Sequence, residues 1–514
     1  MSLSQFWIVK HRAVSLSALS GILLTLAFPP VGWGFLIWIA FVPFFFAVCE
    51  AQRTSQALKC GAVTGIFFYC FSMHWLTQVS AAGWLLWAVI QTAYFVLFSW
   101  LIYFAQKAPA SLPVRILWTA LAWTVLEIVR ADTPVFGVGW NLLAYSQAQY
   151  PVMIQSANIF GAYGLGFLIV IVNGCLFELS APAKKRTKGI GAALFTVVLL
   201  IFVALLVYGD RILAEEKAPE EYLRVSVLQG NIPQAVKWEI MAKEQILAIY
   251  EKLTQLAALD QPDLIIWPEA SFPGYFNRDV QAERISRVAK EVRTPLLVGA
   301  LHWVSEKEVY NSAYFLDKDG VVSQQRYDKV RLVPFGEYIP LKFIFGWLKP
   351  VADALGISDF SAGSDSTVFQ WAREEWPFGV LICFEDVFMD LARKMADRDA
   401  KFLVVITNDA WFGKTGAPYQ HLQASIFRAV ENGVAVVRAA NTGISTFISR
   451  RGEVLATVKN GKGEELFTLG HKTLDLPLIA DRTLYRRGGY FFPHAAIVVF
   501  LALGIFLLRK RAVS

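Results

Sequence analysis

FGVLICFEDVF, residues 378–388, runs five apolar residues into Cys383 and then meets Glu385 and Asp386. A short, unbroken apolar run of this kind reads as a strand buried on both faces, and the abrupt polarity after it puts Cys383 at the strand's end. Similar runs flank it: LRVSVLQ (223–229), DLIIWP (263–268), TPLLVGAL (294–301), VYNSAYFLD (309–317), FLVVITN (402–408), GVAVVRAA (433–440) and STFISR (445–450). Helical periodicity fills 239–259, 279–292 and 421–432. Alternating strands and helices specify an α/β domain of roughly 260 residues. Its polar residues gather at strand ends: Gln229, Asn231, Glu269, Cys383, Glu385, Asn408 and Asp409. In layered α/β folds such ends converge on one rim, so these distant residues can share a site.

Outside this domain the chain is far greasier. Of its 514 residues 55% are hydrophobic and 17% charged, against about 25% charged in an ordinary soluble domain. Apolar runs occupy 13–28, 32–49, 60–78, 83–105, 113–130, 160–180, 190–208 and 490–508; each is long enough for a hydrocarbon core about 30 Å thick. The expected plan is a membrane domain of seven helices (1–209), an external catalytic domain (220–485) and an eighth span (490–508). The charged connector YGDRILAEEKAPEEY (208–222) marks the first boundary.

Basic residues precede the first span (Lys10, Arg12) and follow the second (Arg53, Lys59), fourth (Lys107, Arg115) and sixth (KKRTK, 184–188), and Arg509, Lys510 and Arg511 close the chain. The alternate loops FPPVGWG (28–34) and TQVSAAGW (77–84) carry no Lys or Arg. Positively charged short loops stay cytoplasmic, which places both termini there and the long insert outside. The first run lacks a small-residue cleavage site and leads through Pro29 and Pro30 into another span, so it is expected to be retained. Much of the net charge of +7 lies in these loops, where anionic headgroups account for it. No nucleic-acid partner is expected.

Four of the five cysteines, Cys49, Cys60, Cys70 and Cys175, fall in or beside spans, where a thiol is a small packing residue. Cys383 stands alone outside, either buried and inert or kept for reactivity. No metal or other cofactor is expected, since no CxxC, HExxH or clustered histidine appears. A helix beginning just after Cys383 would favour its thiolate, while Glu385 and Asp386 oppose it unless a cation compensates. Lys329, in RYDKVRLVPFGEYIP (326–340), is the candidate cation, and the Pro- and Gly-punctuated turn after it carries Glu337. A lysine there lowers the thiol's pKa and steadies an oxyanion. Glu269, where Pro268 breaks a strand, is a candidate general base. Glu, Lys and Cys make an acyl-transfer set.

WPEAS (267–271), YDKVRLVPFGEY (327–338) and CFED (383–386) resemble, in that order, the glutamate, lysine and cysteine segments of the nitrilase superfamily. LQGNIPQAVKW (228–238), LVPFGEYIP (332–340), TNDAWFGKTGAPYQH (407–421) and GWNLLAYSQ (139–147) are similar to segments of the apolipoprotein N-acyltransferase family of bacterial inner membranes. The resemblance implies an αββα sandwich, with Glu269 as general base, Lys329 as charge-stabilising lysine and Cys383 as nucleophile. It makes Glu337 and Glu385 supporting acids, and puts Trp238 and Trp411 near the substrate entrance. Phe384 stands in the pocket where some members carry Tyr, which removes one hydroxyl. The implied reaction moves a fatty acyl chain from a membrane phospholipid, through a Cys383 thioester, to the α-amine of a diacylglyceryl-cysteine on an apolipoprotein. A monomer with ping-pong kinetics is expected.

Other readings remain open. The same triad with water as acceptor would be a tethered amidase or nitrilase. A papain-like pairing would join Cys383 to His421; YQHLQASIF reads as a helix start, so His421 is expected to be structural and its replacement by Ala or Gln to spare activity. Against a transporter reading, the spans hold very few ionisable residues, chiefly His74 and Glu127. GAYGLGF (161–167) looks superficially like a nucleotide loop but reads as close helix packing. IPLKFIFGWLKP (339–350) is either a loop dipping into lipid or a core helix, and YRRGGY (485–490) an interfacial anchor whose arginines face phosphate.

Overall fold

The computed structural model describes residues 3–133, 137–181, 185–215, 217–219, 221–234, 240–348, 359–371, 376–479 and 482–513. The greasy half is helical: α1 (Leu3–Leu26), α2 (Val42–Cys49), α3 (Thr54–Ser72), α4 (Ala81–Gln106), α5 (Leu112–Asp132), α6 (Ala157–Ser180) and α7 (Lys185–Ala214), joined at the end by a helix over Phe492–Val513. By length and composition five of these are able to cross a bilayer: α4, α5, α6, α7 and the C-terminal one. The apolar run 32–49 is not one continuous helix. It is a 3₁₀ turn, Gly34–Trp38, and then the eight-residue α2, whose Pro43 fits only a helix's first turn because it lacks an N–H. The run 60–78 likewise ends its α-helix at Ser72 and continues as a 3₁₀ turn, His74–Gln78.

α5 lies at the bundle's centre, 61% of its apolar window buried against 11% for α7. Its polar residues face inward and tie down the loop beyond its C-terminus. Glu127 Oε1 accepts from the Leu143 amide at 2.8 Å, and Arg130 donates to the Trp140 carbonyl at 2.7 Å. Glu127 is thereby committed to the backbone. GAYGLGF lies inside α6, where Gly161 takes φ +70° and a Cβ would stand 2.8 Å from the Tyr485 ring. It is a packing site, as its place in an apolar run implied.

The C-terminal half holds two six-stranded sheets. The first contains β1 (Glu221–Gln229), β2 (Leu264–Ile266), β3 (Leu296–Ser305), β4 (Glu308–Leu316) and β5 (Val322–Asp328), with β12 (Gly470–Leu478) beyond β1. The second runs β11 (Val454–Thr457), β10 (Thr446–Ile448), β9 (Ala435–Ala440), β8 (Phe402–Thr407), β7 (Phe378–Ile382) and β6 (Val368–Phe369). Central strands are parallel and outer pairs antiparallel. One face of the first sheet (Leu223, Val225, Val227) shares a core with the second sheet. Its other face (Ile265, Trp267, Val298) packs under α8 (Lys243–Ala258) and α9 (Ala282–Val292). α10 (Met389–Asp397) and α11 (Ala417–Asn432) cover the second sheet, completing an αββα sandwich.

α11 also meets the bundle. The Gln420 amide accepts from the indoles of Trp75 and Trp140 at 3.0 and 2.9 Å and donates to the carbonyls of Pro29 and Ser72 at 2.8 and 3.0 Å. In 339–350 the described part is a helical turn, Lys342–Phe345, and a 3₁₀ turn, Gly346–Leu348. Phe343 is 85% and Trp347 73% exposed, so a core helix is ruled out there. Arg486 is occupied by Asp397, at 3.1 Å.

Candidate active site

The register of β7 on β8, Ile382 beside Ile406, places Cys383 next to Thr407, whose hydroxyl bonds the thiol. Cys383 has φ +55°; a non-glycine residue held there costs on the order of 1–3 kcal/mol and marks a turn the surroundings impose. Cys383–Val387 form a 3₁₀ turn, and α10 starts only at Met389. No α-helix dipole therefore begins at the sulfur. Burial, then the Glu269 charge, push the thiol above its ordinary range despite Lys329. These influences favour the thiol over the thiolate, so the sulfur needs a base.

Lys329 comes directly after β5 and is fully buried, its amide donating to the Asn311 carbonyl at 2.8 Å. Its ammonium lies 2.7 Å from Glu337 Oε1 and 3.4 Å from Glu269 Oε1. Burial alone would lower it, but the two carboxylates, Glu337 first, hold it above its usual value. Asn311 Nδ2 donates to Glu269 Oε1 at 2.7 Å and to Glu337 Oε1 at 3.4 Å. Glu337 Oε2 accepts from the Val333 amide at 2.8 Å, which folds the turn back onto the lysine. The structure thus brings Glu269, Lys329 and Glu337 into contact, and the charges of Glu269 and Lys329 act on Cys383.

Glu385 locks the lysine loop to the cysteine turn. Its Oε1 accepts from the amides of Val330 and Arg331 at 2.6 and 3.0 Å, its Oε2 from the Ile382 amide and the Tyr327 hydroxyl, both at 2.8 Å. Burial raises it to about 7 against those donors. In Glu385→Gln one amide NH₂ must face two donors, and each unsatisfied buried group costs about 1–3 kcal/mol. The variant is expected to fold with the lysine loop displaced and to lose roughly 100-fold in turnover, measured as acyl transfer per correctly folded molecule.

Phe384 meets Phe388 edge-on at 5.2 Å, next to a cavity of about 340 Å³. Trp411 is 44% exposed in the turn after β8. Trp238 lies outside the described residues. Sequence reasoning missed Asn311, Tyr327, Thr407 and Arg438. Thr407 and Arg438 are polar residues at the end of or inside an apolar strand run, and that mismatch was the available signal; Asn311 and Tyr327 gave none.

His421 is enclosed by charge. Its Nδ1 is 3.0 Å from Asp409 Oδ1 and its Nε2 2.9 Å from Asp386 Oδ1, while Arg438 bridges Asp386 and Asp409 at 3.0 and 3.2 Å. Burial and Arg438 pull the imidazole down, but Asp386 and Asp409 outweigh them and raise it to about 9. Asp409, against the burial that would raise it, is held at about 2 by His421 and Arg438. A cationic His421 has no lone pair for Cys383, and its only contact there is the backbone carbonyl, 3.2 Å from Nε2. The papain-like pairing fails. A structural cost is nevertheless expected of His421→Ala, which would remove one cation from between two buried carboxylates.

Because the folded value lies above the ordinary 6.5, His421 stabilises fully below that pH and the contribution, on the order of 3 kcal/mol, fades as pH rises through about 9. The thermal midpoint in detergent is expected to fall between pH 7 and 9, and His421→Gln to abolish that slope.

The paired six-stranded sheets, joined to a bundle of long apolar helices, fit an enzyme of the carbon–nitrogen hydrolase class. Residues 224–480 match the carbon–nitrogen hydrolase family model, and residues 20–175 match the apolipoprotein N-acyltransferase N-terminal domain. The chain belongs to the apolipoprotein N-acyltransferase family. It is 34% identical to the apolipoprotein N-acyltransferase of Geobacter metallireducens over 100% of this chain and 98% of that one. Identity is 32% to the Haemophilus influenzae protein of the same name, over 87% of each chain. Among solved structures, an amidase from Nesterenkonia sp. aligns at 20% identity and a TM-score of 0.38, covering 52% of this chain and 93% of that one.

Proposed function

We propose that residues 220–485 form an extracytoplasmic catalytic unit that transfers a fatty acyl chain from a membrane phospholipid to the N-terminal amine of a diacylglyceryl-cysteine on an apolipoprotein. The observation that carries this is the buried Lys329 ammonium held between Glu269 and Glu337, with a protonated Cys383 under the same charges. Glu269 takes the Sγ proton as sulfur attacks the ester carbonyl, and Lys329 steadies the oxyanion. Collapse expels the glycerol oxygen, which receives that proton and departs as lysophospholipid. The acyl group stays on sulfur. The acceptor amine then attacks the thioester and gives its proton to Glu269, Cys383 leaves as thiolate, and Glu269 reprotonates it.

Two lipid-anchored substrates used in turn explain why the site is joined to membrane helices. The protein acts as a monomer of the bacterial inner membrane, both termini cytoplasmic, as the loop charges direct. Incubated with phospholipid alone, the purified protein is expected to gain the mass of one acyl group, which a diacylated peptide then removes and carries. Release of free fatty acid without peptide acylation would make it a hydrolase instead.

A further inference from the structure

The cavity beside Phe384 contains a cation that the acyl-transfer steps do not use. Its walls include Phe384 and Phe388, the Arg331 and Lys342 side chains, and Thr133 and Gly137 from the segment that follows α5. We propose that Arg331, seconded by Lys342, binds the phosphodiester of the donor glycerophospholipid and so sets its ester over Cys383. This rests on the acyl-transfer reading above.

Arg331 is two residues from Lys329, and its amide is fixed to Glu385 at 3.0 Å. The loop that aims the lysine therefore also fixes the root of the guanidinium. The side chain is one-third exposed, and its guanidinium carbon stands 5.3 Å from the centroid of the Phe388 ring. It makes no side-chain hydrogen bond to a described residue; its carboxylate neighbour, Asp390 Oδ2, is 3.8 Å away. A guanidinium with its planar fork of donors uncommitted and its face against an aromatic ring is preorganised for a phosphate, which it grips with two parallel hydrogen bonds.

The cavity is amphipathic in the sense a glycerophospholipid needs. Aromatic rings beside the cysteine suit the acyl and glycerol carbons, and the cations stand where the anion projects. Thr133 and Gly137 follow α5, a helix long and apolar enough to span a bilayer, and on the proposed topology the end of such a helix lies at the level of headgroup phosphates. Lys342 is paired with Asp359 at 2.7 Å, but both are exposed, and an exposed pair exchanges readily for a better anion. Free phosphate shares the recognising chemistry, but the apolar wall favours the lipid source.

The test measures single-turnover acylation of Cys383 by mass spectrometry, on the full chain in detergent. The donors are dioleoyl-phosphatidylglycerol and dioleoylglycerol, which have the same chains and differ in the phosphate. Wild type is expected to prefer the phospholipid by roughly tenfold or more, the worth of a charge-assisted hydrogen-bond pair. Arg331→Gln should bring that ratio close to one and Arg331→Lys to an intermediate value. An unchanged ratio in Arg331→Gln, or an equal fall with both donors, would show a merely structural arginine and overturn the proposal. Millimolar inorganic phosphate should leave the wild-type rate unchanged; competitive inhibition that Arg331→Gln abolishes would assign the site to soluble phosphate and overturn it as well. If wild type acylates from neither donor, the acyl-transfer reading itself is wrong, a result distinct from any change in ratio.

Discussion

Cys383→Ser is expected to leave a folded protein whose acyl transfer falls by at least about 10⁴-fold, with no acyl adduct on residue 383. The two side chains are nearly the same size, and the Thr407 hydroxyl can bond either, so the fold has no reason to change. The difference lies in the proton. This pocket already pushes a thiol above its ordinary range through burial and the Glu269 charge. An alcohol starts several units higher still, beyond what a carboxylate can draw off even with Lys329 beside it. Intact-protein mass spectrometry after incubation with phospholipid checks the adduct, and a thermal melt in detergent checks the fold. A serine variant that accumulated an acyl ester would mean that the pocket ionises its nucleophile by means other than these charges.

Lys329→Met carries the second large effect and separates catalysis from stability. It removes the one ammonium between Glu269 and Glu337, which lie 3.4 and 2.7 Å from Nζ. Breaking a buried pair by deleting one partner costs about 3–5 kcal/mol. The surviving carboxylates share Asn311 as a donor, and they relieve their repulsion when one takes up a proton. A protonated Glu269 cannot accept the thiol proton, and the oxyanion has lost its cation. Acyl-enzyme formation should drop by about 10³- to 10⁴-fold. The melting temperature should fall at neutral pH and recover as the pH is lowered towards 5 by more than wild type gains over the same range. Loss of activity with an unchanged melt would mean that the lysine contributes nothing to the fold around it.

The strands that were legible and those that were not divide cleanly. β5, β6, β11 and β12 escaped the sequence reading, and they are the four outer strands of the two sheets. An outer strand is solvated along one edge, so β5 is written VSQQRYD, and β12 carries Pro477 in LDLPL, which a central strand would reject. The inner strands, buried over most of their length, are mostly apolar and announced themselves. The same bias hid Arg438, whose charge sits inside β9 and is neutralised only by Asp386 and Asp409 from other segments. Glu269, Lys329, Glu337, Cys383 and Glu385 were found because turn chemistry and motif resemblance point at them. Asn311 and Tyr327 act through contacts across strands, which no local pattern records.

The amide of Gln420 gathers bonds from three separate connections of the helical half: Pro29 before α2, Ser72 and Trp75 after α3, and Trp140 after α5. One side chain thus clamps the sheet domain to the helical half at this point, and on the proposed reaction that clamp sets the height of Cys383 over the lipid leaflet. On that proposal the reach comes from the substrates: the phospholipid, and after it the lipoprotein anchor, must each rise partway out of the leaflet to meet the sulfur.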